Sequence, residues 1–290
     1  MTVLSQKRGT WLNQFALPSH QVFANRGRQV DYVIIKYGYA AYEETARQFN
    51  IPWVAERMAE SGAGSQNGPA LWQQYATELA NQTNQPGCIA AVINLEEADG
   101  GWHTDDGWAT IKLVKRFRDL APGKPIFASL DTRGSRPNYP YQRAAASMCD
   151  GVMPMTYPGA FLTTAAVAFN ATITPLVRER WAGKDIIPTY QTYGGADVPS
   201  QMVEVSNRYI IGIIAGANSY TLGHATDTQW SESLAFAPAS AQPPPPSPDV
   251  AAALVAIRKL WVDGWTAIAE RGTVPEAVAL AGFWQSLTGK

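Results

Sequence analysis

The feature that most constrains the fold is the alternation of apolar segments of strand length with segments of helical spacing or composition. Eight apolar segments occur over about 230 residues, and helical stretches such as 70–83, 107–122 and 198–212 lie between them. Strands that alternate with helices form parallel sheets, and eight such units match the closed (β/α)8 TIM barrel. The predicted strands are 9–15, 31–38, 51–57, 88–97, 124–131, 149–157, 185–193 and 216–223.

We therefore expect an α/β fold with a TIM barrel over residues 1–235. An open, doubly wound sheet is the alternative, because it also alternates strands with helices. Such sheets usually carry a glycine-rich phosphate loop after their first strand, and residues 14–22, QFALPSHQV, contain no glycine. The closed barrel is therefore favoured.

A proline-rich segment separates the predicted barrel from the C-terminal residues. Residues 236–248 include four consecutive prolines, which favour an extended polyproline II linker. Residues 249–290 then predict two helices, and the first has Asp249 as N-cap and a single apolar stripe. Because so short a segment rarely forms a stable core alone, we expect a helical module that docks on the barrel, on a second copy or on a protein partner.

Composition limits the class of partner and the compartment. With 46% hydrophobic and 16% charged residues the chain is globular, and its 23 basic residues nearly balance its 24 acidic ones. Neither nucleic acid binding nor membrane insertion is expected. The N-terminus lacks the apolar stretch of a signal peptide, so we expect a protein made in the cytoplasm and then released by lysis or carried on a particle. Cys88 and Cys149 each precede an apolar run and are expected to be reduced core residues.

In TIM barrels the active site forms where the carboxyl ends of the strands meet. Here those ends carry polar or aromatic residues in nearly every unit: His20, Lys36, Glu56, Glu96, Asp131, Tyr157, Tyr190 or Gln191, and 218–224. The histidines His20, His103 and His224 fall at the same end of the predicted barrel. They show no metal-binding spacing, so neither a metal nor another cofactor is expected.

Strand periodicity distinguishes the two adjacent glutamates after the fourth strand. Residues 90, 92, 94 and 96 share one parity, and residues 91, 93, 95 and 97 share the other. The second set is aliphatic up to Leu95 and suits packing under helices, whereas the first becomes polar towards the strand end. Glu96 is therefore expected to face the barrel axis, and Glu97 to lie in the loop. A structural ion pair between Glu96 and Lys36 is the alternative to a catalytic role.

Hydrolysis of a glycosidic bond normally needs a second carboxylate beside the first. Asp131 ends the next predicted strand and is the best candidate, although an aspartate before the turn TRGSRPNYP also suits a turn cap. Sugar rings stack on aromatic rings while their hydroxyls bond to amides and carboxylates. The candidate substrate-binding residues are Lys36, Asn94, Glu97, Trp102, His103, Tyr157, Tyr190, Gln191, Asn218 and Tyr220.

Three segments resemble known glycosidase barrels. DYVIIKYGYAAYEE (31–44) is similar to the second strand of family 25 lysozyme-type muramidases, in which an apolar strand ends in a lysine before a glycine-containing loop. VINLEE (92–97) is similar to their fourth strand, which ends in Asp-x-Glu, and MPMTYPG (153–159) resembles the Met-x-Tyr of chitinase-type barrels. Over about residues 9–235 this resemblance implies a glycoside hydrolase acting on a polysaccharide, with peptidoglycan one candidate.

The sequence also departs from those families at acidic positions. The aspartate of Asp-x-Glu falls at Asn94, an acid of the first strand meets only Asn13 and Gln14, and one of the last strand meets Asn218. The earlier acids of the chitinase motif are replaced as well, by Ile89 and Val92. Because asparagine cannot ionise, two hypotheses follow. The barrel hydrolyses a glycan with Glu96 as general acid/base, assisted by Asp131 or Glu97, or it is a glycan-binding or structural part of a larger assembly such as a phage particle or secretion apparatus.

Overall fold

The computed structural model describes residues 2–12, 17–58, 68–95, 102, 106–173 and 180–236. The predicted helical module 249–290 and the predicted linker 236–248, apart from Phe236, lie outside the described residues. The division of the chain into these domains therefore stays a prediction. Among the described residues no helix is long and apolar enough to cross a membrane.

Parallel strands form a closed barrel, as the alternation of strands and helices predicts. The strands are β1 (Arg8–Leu12), β2 (Tyr32–Lys36), β3 (Trp53–Met58), β4 (Cys88–Asn94), β5 (Ile126–Leu130), β6 (Gly151–Thr156), β7 (Asp185–Ile186), β8 (Thr189–Gln191) and β9 (Ala217–Tyr220). Each pairs with its neighbours in parallel, and β9 returns to pair with β1. The short β7 and β8 both pair with β6, so they are two pieces of one barrel strand. The result is an eight-stranded (β/α)8 TIM barrel.

Helices connect the strands around the outside of the barrel. They are α1 (His20–Gly27), α2 (Ala40–Gln48), α3 (Trp72–Thr83), α4 (Trp108–Leu120), α5 (Pro140–Met148), α6 (Ala165–Thr172), α7 (Val198–Ile210) and α8 (Asp227–Ser233). Several begin at polar side chains that accept the first free backbone N–H groups. Ser19, Thr164 and Asp197 do so for α1, α6 and α7, and Thr226 forms a capping box with Gln229 before α8.

Strand alternation divides the apolar residues into two clusters. The inner cluster fills the barrel and includes Trp11, Ile34, Val54, Val92 and Phe127. The outer cluster lies between the barrel and the helices. Strand β4 follows the predicted parity, with Ala90 in the inner cluster and Ala91, Ile93 and Leu95 in the outer one. The side chain at position 94 therefore belongs to the inner face of the strand.

Both cysteines lie in the outer cluster as free thiols, as predicted. Burial raises the pKa of the Cys88 thiol to about 12, and that of Cys149 equally to about 12. Since the thiolate is the reactive form of cysteine, neither residue has the character of a nucleophile.

The N-terminal residues close the end of the barrel at which the strands begin. Leu4 is fully buried in the inner cluster. The Asp185 carboxylate accepts hydrogen bonds from the backbone N–H of Thr2 at 2.8 Å and from the hydroxyl groups of Thr2 and Ser5, each at 2.5 Å. The described N-terminal residues therefore fill this end. The opposite end, where the strands finish, is called the mouth below.

A Gly9→Ala variant tests how tightly the lower barrel is packed. A Cβ atom at position 9 would lie 2.2 Å from the Tyr32 ring and 2.4 Å from Oδ1 of Asn218, both buried inside the barrel. We expect a loss of about 1 to 3 kcal/mol in unfolding free energy, or more, measured by urea denaturation. The control is Gly27→Ala in α1. A Cβ atom at position 27 would lie 3.0 Å from the flexible tip of the Ile51 side chain. Equal stability of Gly9→Ala and wild type would contradict this packing.

Candidate active site

Polar side chains face inward at the mouth. Lys36 ends β2 and is register-paired with Glu56 of β3, while Asn94 ends β4 beside Met58. Glu56 and Asn94 are buried, with only 4% and 6% of their surface exposed. The Nζ atom of Lys36 lies 3.3 Å from the Met58 sulfur. A buried carboxyl and an ammonium on adjacent strands therefore lie at the mouth of the barrel, an arrangement that proteins tolerate when the charges are partnered.

Glu56 stands at the end of a predicted strand, and the structure shows which face its side chain takes. The alternation that selected position 96 on β4 also places Glu56 on the inner face of β3, because Val54 is an inner residue and Ala55 an outer one. Glu56 is thus a buried carboxyl in the mouth, at a strand end that the sequence predicts but to which it assigns no role.

The predicted catalytic Glu96 lies outside the described residues, as do Glu97 and His103. The described part of β4 and its continuation ends at Leu95, whose backbone N–H donates to the Ser129 carbonyl at 3.1 Å. The catalytic role of Glu96, the substrate-binding roles of Glu97 and His103, and the alternative ion pair of Glu96 with Lys36 all stay predictions.

Asp131 follows β5 and binds two arginines. Its carboxylate accepts from Nε of Arg133 at 2.9 Å and from Nη2 at 2.7 Å, and Nε of Arg136 lies 3.5 Å away. Burial alone would raise the pKa of Asp131, but the hydrogen bonds and charge of Arg133, with the charge of Arg136, hold it below its ordinary value. Asp131 therefore stays ionised and is unsuited to donate a proton. It also accepts the backbone N–H of Arg133 at 3.2 Å, as a turn cap does.

A chain of aromatic contacts crosses the mouth. Its centre is Tyr220 at the end of β9, whose ring centroid lies 5.3 Å from that of Tyr157, 5.9 Å from Tyr193 and 6.2 Å from Trp11. Two further rings extend it: Phe161 lies 6.0 Å from Tyr157, and His224 lies 5.8 Å from Tyr193. We call these six residues the aromatic run. The three tyrosines are half-buried, so each ring is packed but still exposes surface to a ligand.

Gln191 holds together two of the loops that carry this run. Its Oε1 accepts backbone N–H groups of Gly159 at 2.9 Å and Ala160 at 3.3 Å, and its Nε2 donates to the Tyr193 carbonyl at 3.0 Å. The side-chain amide of Gln201 of α7 in turn pairs with the backbone of Gln191: its Oε1 accepts from the Gln191 N–H at 2.9 Å and its Nε2 donates to the Gln191 carbonyl at 2.8 Å. Gln191 was predicted to bind substrate. The structure shows its amide occupied in positioning the loops of Tyr157 and Tyr193.

Three predicted substrate-binding residues do not reach the mouth, and the prediction is corrected for them. Trp102 is fully buried in the outer cluster. Tyr190 is also fully buried there, with its hydroxyl donating to the Ser233 carbonyl at 3.2 Å beneath α8, and burial raises its pKa. Asn218 lies inside the lower barrel, where its Oδ1 accepts from the Tyr32 hydroxyl at 2.5 Å. Residue type at a strand end did not reveal which face or depth each side chain takes.

His20 and His224 belong to different parts of the molecule. Nδ1 of His20 lies 2.7 Å from the Thr45 hydroxyl and its ring stacks on Tyr42, whereas His224 contacts Tyr193. Within the described ranges no three histidine, cysteine or carboxylate side chains converge in a way that could hold a metal ion. His103 is outside those ranges, so the expectation of no metal or cofactor stays a prediction.

Comparison with known proteins supports the architecture. The sequence matches no family model and no curated protein. Its structure is similar to a chitinase from Chromobacterium violaceum, with a TM-score of 0.62 and 13% identity over 78% of this chain and 97% of that one. The catalytic domain of a hyperthermophilic chitinase from Pyrococcus furiosus gives 0.58 and 12%, over 80% of this chain and 94% of the other.

A third similar structure is the spore cortex-lytic enzyme SleL from Bacillus megaterium, with a TM-score of 0.55 and 12% identity over 78% of this chain and 72% of that one. These structures have glycoside hydrolase barrels, and the present chain has a barrel of the same kind, as the sequence resemblance implied. At such low identity the likeness establishes the fold alone.

An Asp131→Asn variant tests the ion pair at the mouth. The pKa of Asp131 is lower in the folded protein than in the unfolded chain. The ionised carboxylate therefore contributes its full stabilisation at pH values above the pKa of the unfolded chain. This stabilisation is lost as the pH falls through the pKa of the folded protein. We expect the variant to lose about 1 to 3 kcal/mol at pH 7, measured by urea denaturation, and the deficit to shrink towards pH 3. Asp119→Asn, at an exposed position of α4, is the control. A deficit that is the same at both pH values would contradict the ion pair.

Proposed function

We propose that this protein is a carbohydrate-directed barrel that hydrolyses a polysaccharide, with Glu96 as its general acid/base. The observation that carries the proposal is the aromatic run across the mouth of a glycoside hydrolase-like barrel. Aromatic rings in this position offer flat faces to the C–H surfaces of sugar rings. The amide of Asn94 and the ammonium of Lys36 add polar groups of the kind that fix sugar hydroxyls.

The chemistry needs one group that protonates the leaving oxygen and another that stays ionised. Ala90 and Val92 are inner residues and Ala91, Ile93 and Leu95 are outer ones, and Glu96 has the same parity in the sequence as the inner set. Glu96 is our candidate for the proton donor. Asp131 is the candidate ionised group, because its bonds to Arg133 favour the carboxylate form. Glu97 remains the alternative assistant.

The proposed substrate is a cell-wall glycan such as peptidoglycan. One similar structure is a spore cortex-lytic enzyme, and family 25 muramidases supply the sequence resemblance around Lys36 and Glu96. We further propose an endolysin-like role, in which the protein is released by lysis or carried on a phage particle. In this proposal residues 249–290 provide the contact with a protein partner or a second copy.

The second candidate function is glycan binding without hydrolysis, as a structural component of a larger assembly. Asn94 favours it, because the amide stands where the resemblance expects an aspartate and cannot ionise. The aromatic run serves both functions equally well. Turnover, not binding, therefore distinguishes them.

Glu96→Gln tests the catalytic assignment. We expect the release of reducing ends from purified cell walls to fall at least about 100-fold, because the amide cannot transfer the proton. Glu44→Gln, at an exposed position of α2, is the control and should keep most of the activity. Wild-type activity in Glu96→Gln would refute the assignment.

If wild type binds glycan but releases no reducing ends, the binding function is supported. Asn94→Asp then tests whether the missing carboxyl at position 94 is the cause.

Tyr220→Ala tests the aromatic run independently of catalysis. Removal of the central ring should weaken binding of a chitooligosaccharide at least about tenfold, measured by calorimetry, because stacking area is lost. Phe49→Ala is the control, since Phe49 is an exposed aromatic residue at the opposite end of the barrel, after α2. Equal affinity of Tyr220→Ala and wild type would remove the main support for a carbohydrate site.

A further inference from the structure

The rim of the mouth between β5 and α6 carries a guanidinium group in an unusual setting. The Arg133 guanidinium carbon lies over the Phe161 ring, 3.6 Å from the ring centroid, in a cation–π contact. Phe161 belongs to the aromatic run. The charged group therefore lies directly beside the surface on which sugar rings are proposed to stack.

Two contacts fix the orientation of this guanidinium. Asp131 accepts from Nε and Nη2, and the Phe161 ring covers one face. The segment before it is also held, because Gln142 donates to the Asp131 carbonyl at 2.8 Å and Thr132 donates to the Thr172 carbonyl at 2.6 Å. Arg133 is thus preorganised, and a ligand that binds it has little side-chain entropy to overcome.

Arg133 retains hydrogen-bonding capacity in this position. Guanidinium carries five N–H groups on two edges, and Asp131 uses the edge formed by Nε and Nη2. The edge formed by Nη1 and the second N–H of Nη2 donates to no described residue, and the side chain is 33% exposed. That edge has the spacing that matches the two oxygens of a carboxylate.

A second arginine lies beside the same carboxylate. Asp131 contributes one negative charge. The partly exposed Arg133 and Arg136 contribute two positive charges, and their nearest nitrogen atoms lie 2.7 Å and 3.5 Å from Oδ2 of Asp131. The Asp131 carboxylate therefore does not cancel the positive charge that Arg133 and Arg136 bring to this rim. Neutral sugars have no need of such a charge, whereas an acidic sugar beside the stacked ring would meet it directly.

We propose that Arg133, oriented by Asp131 and Phe161, binds a carboxylate of the glycan, so that the barrel selects an acidic polysaccharide over a neutral one. This inference rests on the proposed carbohydrate-binding function and specifies its substrate class. The carboxylate belongs to the sugar next to the one stacked on Tyr157, since Phe161 lies between that ring and Arg133.

Calorimetric titration of the full chain with three tetrasaccharides tests the inference. The probes are peptide-free tetrasaccharide of alternating N-acetylglucosamine and N-acetylmuramic acid, the same compound with its carboxyl groups reduced to alcohols, and chitotetraose. Wild type should bind the acidic probe at least about tenfold more tightly than the reduced one, as expected for a charge-assisted bidentate contact. This preference should fall at high salt.

Variants at position 133 separate binding from folding. Arg133→Gln should bring the ratio of acidic to reduced probe close to one while leaving chitotetraose affinity within about twofold of wild type, and Arg133→Lys should keep part of the ratio through its charge. Arg133→Gln leaves the Asp131 carboxylate without its main partner. The double variant Asp131→Asn/Arg133→Gln avoids this unpaired charge, because both side chains are neutral. It should lose the preference for the acidic probe to the same extent. Arg143→Gln, exposed on α5, should keep the preference.

The outcomes distinguish this inference from the function on which it rests. Binding of chitotetraose without any preference for the acidic probe would overturn the carboxylate site and leave the carbohydrate function standing. A full preference in the folded double variant would overturn the role of Arg133. Failure of wild type to bind any of the three probes would overturn both proposals.

Discussion

The structure depends on closure of the parallel barrel. Strand β1 pairs with both β2 and β9, and β5 with β6, so the ring has no unpaired edge. Closure forces alternate side chains either into the barrel or against the helices, and this produces the two apolar clusters. It also brings the ends of β2, β3, β6 and β9, which are far apart in the chain, to one mouth. The described residues at the mouth owe their positions to this ring.

The two ends of the barrel differ in packing and polarity. At the beginning of the strands, Leu4, Tyr32 and Asn218 fill the interior, and Asp185 anchors the N-terminal residues across it. At the mouth, polar inner residues replace apolar ones, and hydrogen bonds from Gln191 join the loops after β6 and β8. Packing thus stabilises one end, while the other end holds exposed aromatic rings in defined positions.

Local pattern was sufficient for the architecture and for the face of β4. The larger aliphatic residues Ile93 and Leu95 share one parity and predict the face that packs against the helices. The structure places them in the outer cluster, and places Ala90 and Val92 in the inner one. The same reasoning was inconclusive at 185–193, where Tyr190 and Gln191 were both named. There the strand breaks into β7 and β8 around Ile187 and Pro188, and only the pairing of Gln191 with Tyr220 shows which residue faces inward.

By itself, the sequence determined the barrel, its strands, the burial of Cys88 and Cys149 and the concentration of polar and aromatic residues at one end. These follow from periodicity and apolar content, which act over a few residues. Tertiary structure alone decided that Trp102, Tyr190 and Asn218 are interior and that Asp131 is bound by Arg133. Depth, register and charge partners depend on residues brought together by barrel closure, and no short stretch of sequence contains that information.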